Sequence, residues 1–409
     1  MTLTAPPAGH GTAQAGRPLR LAVVSAWPPS RGSLNEYGVH LVNALAAQDD
    51  VAAVQVVADT DARRSTDDQV SVEPCWTFNA WTNALRIRRA IRAGRPDAVV
   101  FNLQFASFGD RKVPGALGLL APWLVRRDGV PTTVLLHNLA DTVDMRAAGF
   151  TSSRLVARVM TLAGRLLTRA LLQVDFVALT IPRYVELLRA SYGATNVLLA
   201  PHGSFTELTG LSAADTAVPA SPRRIMAFGK WGTYKTVDVL VEAYRVLLDR
   251  GYEGLELVLA GTDSPNSAGY MADVARRHAD LPGLSLPGYV AEADVEPLFR
   301  SATVVAFPYT STTGSSGVLH QAGEYGRAPV LPRIGDLVDI IEEEGFAGVY
   351  FSPGDPASLA DALATVLDDP DLRVELGRRN LAAAAGIPIR EVAHWHVVHL
   401  RRAIDRVSA

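Results

Sequence analysis

Two lysines stand close together in a glycine-containing turn that follows an apolar run. Lys230 and Lys235 are five residues apart in FGKWGTYK, and Gly229 precedes the first of them. An ammonium group is a compact point charge that binds phosphate oxygens, so two of them at one strand end can converge on a phosphate pair. The stretch predicts a diphosphate site, with ordinary surface lysines of a loop as the alternative.

A second pattern for binding an anion begins at Thr313, in TGSSGV. Successive N–H groups of such a turn can form a concave anion site, and a helix that begins near Ser316 adds free N–H groups. Serine at a helix start is also a good N-cap, which is compatible with holding a phosphate. The candidate ligands are Gly314, Ser315, Ser316, Gly317 and Val318.

A turn in the first half of the chain offers another close approach to a ligand. Gly32 and Ser33 follow the apolar run Leu19 to Ser25 and precede a helix-period segment. Glycine lets the backbone approach a ligand, and the helix start offers N–H groups to an anion. An ordinary turn between a strand and a helix is the alternative.

His137 and Asn138 end the apolar run that starts at Thr133, and Asp141 follows them. A histidine at a strand end can point towards a ligand, and the alternative is a core histidine bonded to the backbone. Asn138 and Asp141 are candidates for contact with a second substrate. His202, at the end of the first half, favours a structural role.

The candidate residues lie between apolar runs, which are typical of strands, and segments whose apolar residues repeat with the period of a helix. Continuously apolar strands between helices indicate parallel sheets covered on both faces. Ligands of such sheets bind at the carboxyl ends of the strands, where the candidates lie. The predicted strands are Leu19 to Ser25, Val51 to Val57, Asp97 to Asn102, Thr133 to His137, Phe176 to Thr180, Val197 to Ala200, Arg224 to Phe228, Leu255 to Ala260, Gly283 to Pro287, Thr303 to Phe307 and Ala328 to Pro332.

The alternation stops once, at 206–222, where TELTGLSAADTAVPASP has the composition of a linker. We therefore predict an α/β fold of two doubly wound, Rossmann-like parallel-sheet domains that face a cleft. The predicted boundaries are a disordered leader at 1–18, a first domain at 19–205, a second domain at 223–390 and a C-terminal helix at 391–409.

Composition excludes several classes of protein. The 409 residues suit two domains, and a net charge of −3 argues against nucleic acid as a general partner. Cys75 is the only cysteine, which excludes disulfides within the chain and zinc ribbons. No apolar run is long enough to span a membrane, and the N-terminus lacks the apolar segment of a signal peptide. We expect a cytoplasmic protein.

Arginines follow one side of the apolar segment from Ser153 to Val174. A basic amphipathic helix can rest on an anionic membrane and reach a lipid-linked molecule, which would place the protein at the inner membrane face. The alternative is a core helix with a solvated arginine edge. The arginines are Arg154, Arg158, Arg165 and Arg169.

With these residues in view, nearly the whole chain resembles the family-4 retaining glycosyltransferases of the GT-B fold. PPSRGSLNEYGVHLVNALA resembles the Gly-Gly loop and helix of that family, with Ser33 in place of the second glycine, and Lys230 replaces an arginine. LPGYV at 286–290 is similar to the loop that receives the donor base, and the segment from Ile340 to Leu363 is also similar. The resemblance places the C-terminal helix back on the first domain.

The resemblance implies transfer of a sugar from a UDP- or GDP-sugar to an acceptor, with retention and without an obligatory metal or cofactor. The first domain would bind the acceptor and the second the donor. His137 matches the histidine that contacts the donor sugar, and Tyr289 and Val290 lie in the loop for the base. The acceptor stays open between a glycan, a lipid-linked sugar and a small natural product.

The sequence departs from the family at two carboxylates. The family has a glutamate, seven residues and a second glutamate in this turn and helix, and those positions are Gly314 and Ala322 here. Glu324 points away from the face of Ala322, because two helix residues turn about 200°. We interpret His320 and Glu324, four residues apart on one face, as a surface contact, with a rebuilt part of the site as the alternative.

Three explanations of the missing carboxylates follow. Another group, such as Tyr289 or a backbone carbonyl, would hold the ribose in an active enzyme, or the donor would be unusual. Alternatively, the protein would bind a nucleotide sugar without transferring it. A nucleotide-sugar epimerase is a further alternative, and it fits less well because the first domain has no added acid and base pair.

Overall fold

The computed structural model describes residues 17–30, 34–139, 154–206, 216–232, 235–264, 267–311 and 316–408. They form two compact units. One takes in the residues up to His202 and those from Ile389 onward, and the other takes in Gly203–Thr312 and Ser316–Pro388. The predicted leader lies outside the described residues except for Arg17 and Pro18, and so does most of the predicted linker.

The first unit is built on an eight-stranded sheet in the order β3-β4-β2-β1-β5-β6-β7-β8. Neighbouring strands are parallel except β3 and β4, which are antiparallel. All six residues of the central run AVVFNL are buried, as expected for a strand covered on both faces. The strands are β1 (Leu19–Val24), β2 (Val51–Asp59), β3 (Ser65–Thr66), β4 (Val70–Trp76), β5 (Ala98–Leu103), β6 (Thr132–Leu136), β7 (Phe176–Leu179) and β8 (Val197–Leu199).

Helices connect these strands. The first begins at Asn35 and buries an apolar stripe that includes Leu41, Val42 and Leu45. The helices of this part are α1 (Asn35–Ala46), α2 (Asn83–Gly94), α3 (Lys112–Gly118), α4 (Ala121–Arg127), α5 (Arg154–Leu171) and α6 (Pro182–Tyr192).

The second unit has a six-stranded sheet in the order β11-β10-β9-β12-β13-β14, with every neighbouring pair parallel. Its strands are β9 (Arg223–Trp231), β10 (Leu255–Asp263), β11 (Leu284–Gly288), β12 (Val304–Ala306), β13 (Pro329–Pro332) and β14 (Val349–Phe351). Its helices are α7 (Asp238–Asp249), α8 (Tyr270–Arg277), α9 (Glu292–Arg300), α10 (Gly317–Glu324), α11 (Gly335–Glu344), α12 (Pro356–Asp368) and α13 (Pro370–Ala385). The predicted α/β class with two parallel sheets is confirmed.

The last helix, α14 (Ile389–Ser408), belongs to the first unit and packs on α1. His396 of α14 is completely buried and stacks on Phe176 of β7, with ring centroids 6.4 Å apart. Neither ring nitrogen of His396 has a hydrogen-bond partner among the residues that the structure describes. Burial therefore lowers the pKa of His396 to about 3.

This histidine should make the first unit sensitive to acid. An unfolded chain protonates His396 near its ordinary pKa of 6.5, whereas the folded protein does not until about 3. Above pH 6.5 His396 is neutral in both states and does not change the free energy of unfolding. Below pH 6.5 the unfolded chain binds a proton that the folded protein does not, so the free energy of unfolding falls by about 1.4 kcal/mol per pH unit. Urea denaturation at pH 7.5 and 5.5 should show that His396→Leu loses less stability between these pH values than the wild type.

The control is His394→Leu, which removes an exposed histidine from the same helix. Its change in stability between pH 7.5 and 5.5 should match that of the wild type. An equal change in all three proteins would show that His396 is not buried in its neutral form.

Candidate functional site

Lys235 is held against an aromatic ring in the second unit. Its Nζ lies 4.4 Å from the ring centroid of Tyr309, and the two residues also form an antiparallel backbone bridge. A Cβ built on Gly229 would lie 4.0 Å from Cδ of Lys235, so the lysine side chain passes over this glycine. The cation–π contact and the backbone bridge fix the charge near the carboxyl ends of β9 and β12.

Close contact between β9 and β10 shapes the end of β9, so Lys230 lies in this strand and not in a turn. Gly229 pairs with Gly261 and Lys230 with Thr262 in the parallel register. Gly261 has φ +114°, and a Cβ there would lie 1.8 Å from the carbonyl oxygen of Gly229. The side chain of Lys230 is exposed. The strand ends therefore present both predicted lysines, with the position of Lys235 defined by its ring contact.

The N-terminus of α10 carries a buried hydroxyl with no partner. Ser316 is the N-cap residue, but its side chain makes no capping hydrogen bond. The residue is 6% exposed, and its Oγ has no hydrogen-bond partner within the described part of the chain. Gly317 and Val318 are the first helical residues, whose N–H groups have no acceptor within the helix. Capping does not explain this serine, and the predicted Gly314 and Ser315 lie outside the described residues.

The interpretation of His320 and Glu324 as a surface pair is wrong. His320 is 0% exposed and Glu324 is 2% exposed, because α10 packs on α13 and the chain before β9 crosses the helix end. The Glu324 carboxylate accepts hydrogen bonds from the backbone N–H of Phe205 and from Thr206 Oγ1. Glu324 therefore anchors this connecting segment. Ala322, where the family has its second glutamate, is also 0% exposed.

His137 lies at the end of β6 in the first unit and is 6% exposed. Its Nε2 is 2.8 Å from Asn102 Oδ1, and its ring meets the edge of the Tyr37 ring with centroids 4.6 Å apart. Because the Asn102 oxygen accepts, Nε2 is the protonated nitrogen and Nδ1 is the acceptor of the neutral ring. Burial lowers the pKa of His137 to about 3, so the neutral ring carries no positive charge and its Nδ1 is a hydrogen-bond acceptor.

The residues near His137 have structural contacts of their own. Asn138 Oδ1 accepts a hydrogen bond of 2.8 Å from the backbone N–H of Phe105. His202 is buried against Tyr37, whose hydroxyl donates to the His202 carbonyl at 3.0 Å. The predicted Gly32, Ser33 and Asp141 lie outside the described residues.

The remaining predicted residues lie on exposed elements. Tyr289, directly after β11, is 60% exposed, and Val290 is half-buried. On α5, Arg165 and Arg169 are exposed together with Leu162 and Leu166, which are 59% and 55% exposed. The structure does not describe the side chains of Arg154 and Arg158.

Two features are absent from the described residues, a metal-binding cluster and a membrane-spanning helix. These residues contain no group of three or more histidine, cysteine, aspartate or glutamate side chains that could hold a metal ion. No helix among them is both long and apolar enough to cross a bilayer. Independence of a metal stays a prediction.

Three residues around the candidate site were not predicted to take part. Asn102 orients His137, Tyr309 lies under Lys235, and Gly261 allows the close approach of β9 and β10. Asn102 could have been identified from the sequence, because it is a polar residue inside the buried apolar run AVVFNL. The contacts of Tyr309 and Gly261 join segments that are distant in sequence, and no local pattern reveals them.

Known proteins resemble the part of the chain that carries the two lysines and α10. Residues 222–369 match the family model described as Glycosyl transferases group 1. D-inositol 3-phosphate glycosyltransferase from Corynebacterium glutamicum is 28% identical over 177 residues, which cover 41% of each chain. The protein of the same name from Kineococcus radiotolerans is 28% identical over 242 residues, covering 53% of this chain and 55% of that protein. The chain thus spans about half the length of these relatives.

Solved structures match almost the whole chain. Sucrose-phosphate synthase from Thermosynechococcus elongatus superimposes with a TM-score of 0.71 at 16% identity, covering 94% of this chain and 98% of that one. HepE from Anabaena, solved in complex with UDP-glucose, has a TM-score of 0.65 at 15% identity and covers 94% and 100%. Residues 222–369 are therefore similar to the group 1 glycosyl transferases, and the two α/β units have the GT-B fold.

Proposed function

We propose that this protein is a glycosyltransferase that moves a sugar from a nucleotide-diphosphate sugar, a UDP- or GDP-sugar, to an acceptor. The buried hydroxyl of Ser316 carries the proposal, because a polar atom without a partner is costly unless a ligand satisfies it. It lies at a helix N-terminus, where N–H groups and the helix dipole favour an anion. HepE was solved with UDP-glucose, which makes UDP the first nucleotide to test.

The chemistry follows from where negative charge develops. Breaking the bond between the anomeric carbon and the diphosphate oxygen leaves that electron pair on the diphosphate. Lys235 and the N-terminus of α10 offer a fixed cation and N–H donors to this leaving group, and such preorganised charges stabilise a transition state. Lys230 is the second cation of the proposal. No protein nucleophile is necessary, and retention stays an expectation from the family.

The donor base and ribose must be held without the usual carboxylate of α10. Ala322 supplies none, and the bonds of Glu324 to the segment at 205–206 remove it as a substitute. The exposed ring of Tyr289 favours stacking on the base or contact with the ribose. We assign His137 to the donor sugar from the family resemblance. Because its ring is neutral, it would act through a hydrogen bond.

The test combines binding with turnover. UDP, GDP, dTDP and ADP and their common sugars are screened by thermal shift, and sugars that stabilise the protein are assayed for release of the nucleoside diphosphate. D-inositol 3-phosphate is one of the acceptors, since two relatives carry that name. Release that requires donor and acceptor together supports transfer. Stabilisation without turnover would identify a binding protein, and interconversion of the donor alone would identify an epimerase.

We also propose peripheral contact between α5 and an anionic membrane. Exposed Leu162 and Leu166 would enter the lipid interface, and Arg165 and Arg169 would meet the phosphates. Leu166→Glu should reduce flotation of the protein with vesicles that contain an anionic lipid. Val407→Glu, which changes an exposed valine on α14, is the control. Equal flotation of all three proteins would contradict the contact.

A further inference from the structure

His320 is an unusual feature of α10, one turn from the end that carries Ser316. It is 0% exposed and packs against the ring of Phe346, with ring centroids 5.4 Å apart. Its Nδ1 is 2.9 Å from the Ser316 carbonyl oxygen, and its Nε2 is 2.7 Å from a carboxylate oxygen of Glu344 on α11. A buried imidazole thus joins the candidate anion site to a carboxylate behind it.

Both partners of the His320 ring are acceptors. A carbonyl oxygen and a carboxylate oxygen can only accept hydrogen bonds, so each ring nitrogen must carry a proton. The geometry therefore fits an imidazolium that forms an ion pair with Glu344, whose side chain is 5% exposed. Burial alone lowers the pKa of His320, but the Glu344 charge and the two hydrogen bonds outweigh it and raise the pKa above its ordinary value.

A second carboxylate acts on the pair from the same helix. Glu324, on the same helix, is the second carboxylate whose charge acts on His320 and also favours the protonated ring. On the side of α13, the residues packed against Gly323 are Asn380 and Ala384, and neither titrates. The positive end of the pair faces Ser316, and the negative charge of Glu344 lies on the far side of the ring.

This orientation determines where the first helical N–H group points. The Ser316 carbonyl accepts hydrogen bonds from the backbone of Leu319 and His320 and from His320 Nδ1, which fix its direction. In a trans peptide the N–H group points opposite to the carbonyl. The N–H of Gly317 is thereby directed away from the helix, towards the place where an anion would bind.

We propose that His320 is a positioning residue for the donor diphosphate. It fixes the Ser316–Gly317 peptide with its N–H outward and adds a positive charge behind the helix N-terminus. The inference rests on the proposed function, because it takes the anion at this terminus to be the diphosphate of the donor. The family resemblance assigns no such part to this position.

Two substitutions separate the charge from the hydrogen bond. Glu344→Gln removes the partner charge and lets neutral His320 keep its bond to Ser316, so it tests the charge alone. His320→Gln removes the imidazolium and tests both contributions. A helix N-terminus stabilises an anion by about 0.3 to 2 kcal/mol. We expect a loss of that order in each variant, which corresponds to binding UDP about twofold to thirtyfold more weakly. Binding of uridine, which has no phosphate, should not change.

Isothermal calorimetry with UDP, uridine and inorganic pyrophosphate measures these affinities. Asn380→Ala serves as the control for lost stability, because Asn380 bonds the backbone of Ala347 and Arg327 in the same unit and does not touch Ser316. It should lower the melting temperature and leave the ratio of UDP to uridine affinity unchanged. NMR of histidine-labelled protein, with His320→Gln to identify the signal, should show a doubly protonated His320 ring at pH 7.5.

The outcomes distinguish this inference from the proposed function. Wild-type protein that binds neither pyrophosphate nor any of UDP, GDP, dTDP and ADP would overturn both. Wild-type binding with an unchanged ratio of UDP to uridine affinity in His320→Gln and Glu344→Gln would overturn this inference alone, as would a neutral His320 ring. A drop in UDP affinity in both variants, with Asn380→Ala unaffected, supports it.

Discussion

Replacing Lys235 with alanine should lower donor-dependent release of the nucleoside diphosphate by about a hundredfold or more. The Lys235 ammonium group is held over Tyr309 at 4.4 Å and does not have to be ordered during the reaction. Removing one preorganised group that stabilises developing negative charge typically lowers the turnover rate by a factor of about 10² to 10³. Steady-state assays of UDP release with the donor from the thermal-shift screen measure the loss.

The matched control for Lys235→Ala is Arg223→Ala. Arg223 also places its cation over a tyrosine ring of the second unit, 5.4 Å from the centroid of Tyr252. It is the first residue of β9, however, and so lies at the amino ends of the strands, opposite to Lys235. Its replacement should leave the rate of release almost unchanged. A Lys235→Ala enzyme that is folded and as active as Arg223→Ala would show that Lys235 does not stabilise the leaving diphosphate.

Gly261→Ala should destabilise the second unit by about 3 kcal/mol or more. A methyl group at this position would lie 1.8 Å from the backbone oxygen of Gly229, and φ is +114°. Backbone cannot move aside as a flexible side chain can, so β9 and β10 would have to separate at the end that carries the lysines. Urea denaturation measures the stability, and calorimetry with UDP should show weakened binding in any folded fraction.

Gly254→Ala separates backbone strain from the steric clash. Gly254 also has a positive φ, +65°, but a Cβ there would have no atom within 4 Å. This variant should lose only about 1 kcal/mol, which is the cost of the backbone conformation. If the two variants lost equal stability, the steric contact between Gly261 and Gly229 would not be what requires glycine at the carboxyl ends of β9 and β10.

The sequence predicted most of the fold because the central strands are continuously apolar. Both sheets and the glycine turns between strands and helices follow from that pattern. Three strands were missed, for physical reasons. VSVEPCW of β4 is mostly half-buried and contains Pro74, and a proline is tolerated there because only the two-residue β3 lies beyond it. β3 has only two residues, and β14 is a short strand at the end of its sheet in which two of the three residues are only half-buried.

The candidate site was predictable where it depends on local chemistry. The lysine turn and the serine at the start of α10 could be identified from residue type and spacing. His320 shows the limit, because its spacing from Glu324 suggested a surface pair, whereas its hydrogen-bond partner Glu344 lies 24 residues away. Spacing along one helix cannot reveal a partner from another helix. The direction of the Ser316 carbonyl likewise depends on tertiary packing.

The structure shows what surrounds Ala322, the position at which the sequence departs from the family. Ala322 is buried, and α10 carries instead a buried ion pair, formed by His320 with Glu344, behind its N-terminus. The helix thus has no carboxylate at the position that the family uses for the ribose, and in our proposal His320 adds a positive charge near the diphosphate. We expect the diphosphate to contribute a larger share of donor affinity here than the ribose does.

A crystal structure of the protein with UDP would show where the diphosphate binds. We expect diphosphate oxygens within hydrogen-bond distance of Lys235 Nζ, of the Gly317 N–H and of Ser316 Oγ. A diphosphate bound away from all three, with the Ser316 hydroxyl still unpartnered, would contradict the proposal.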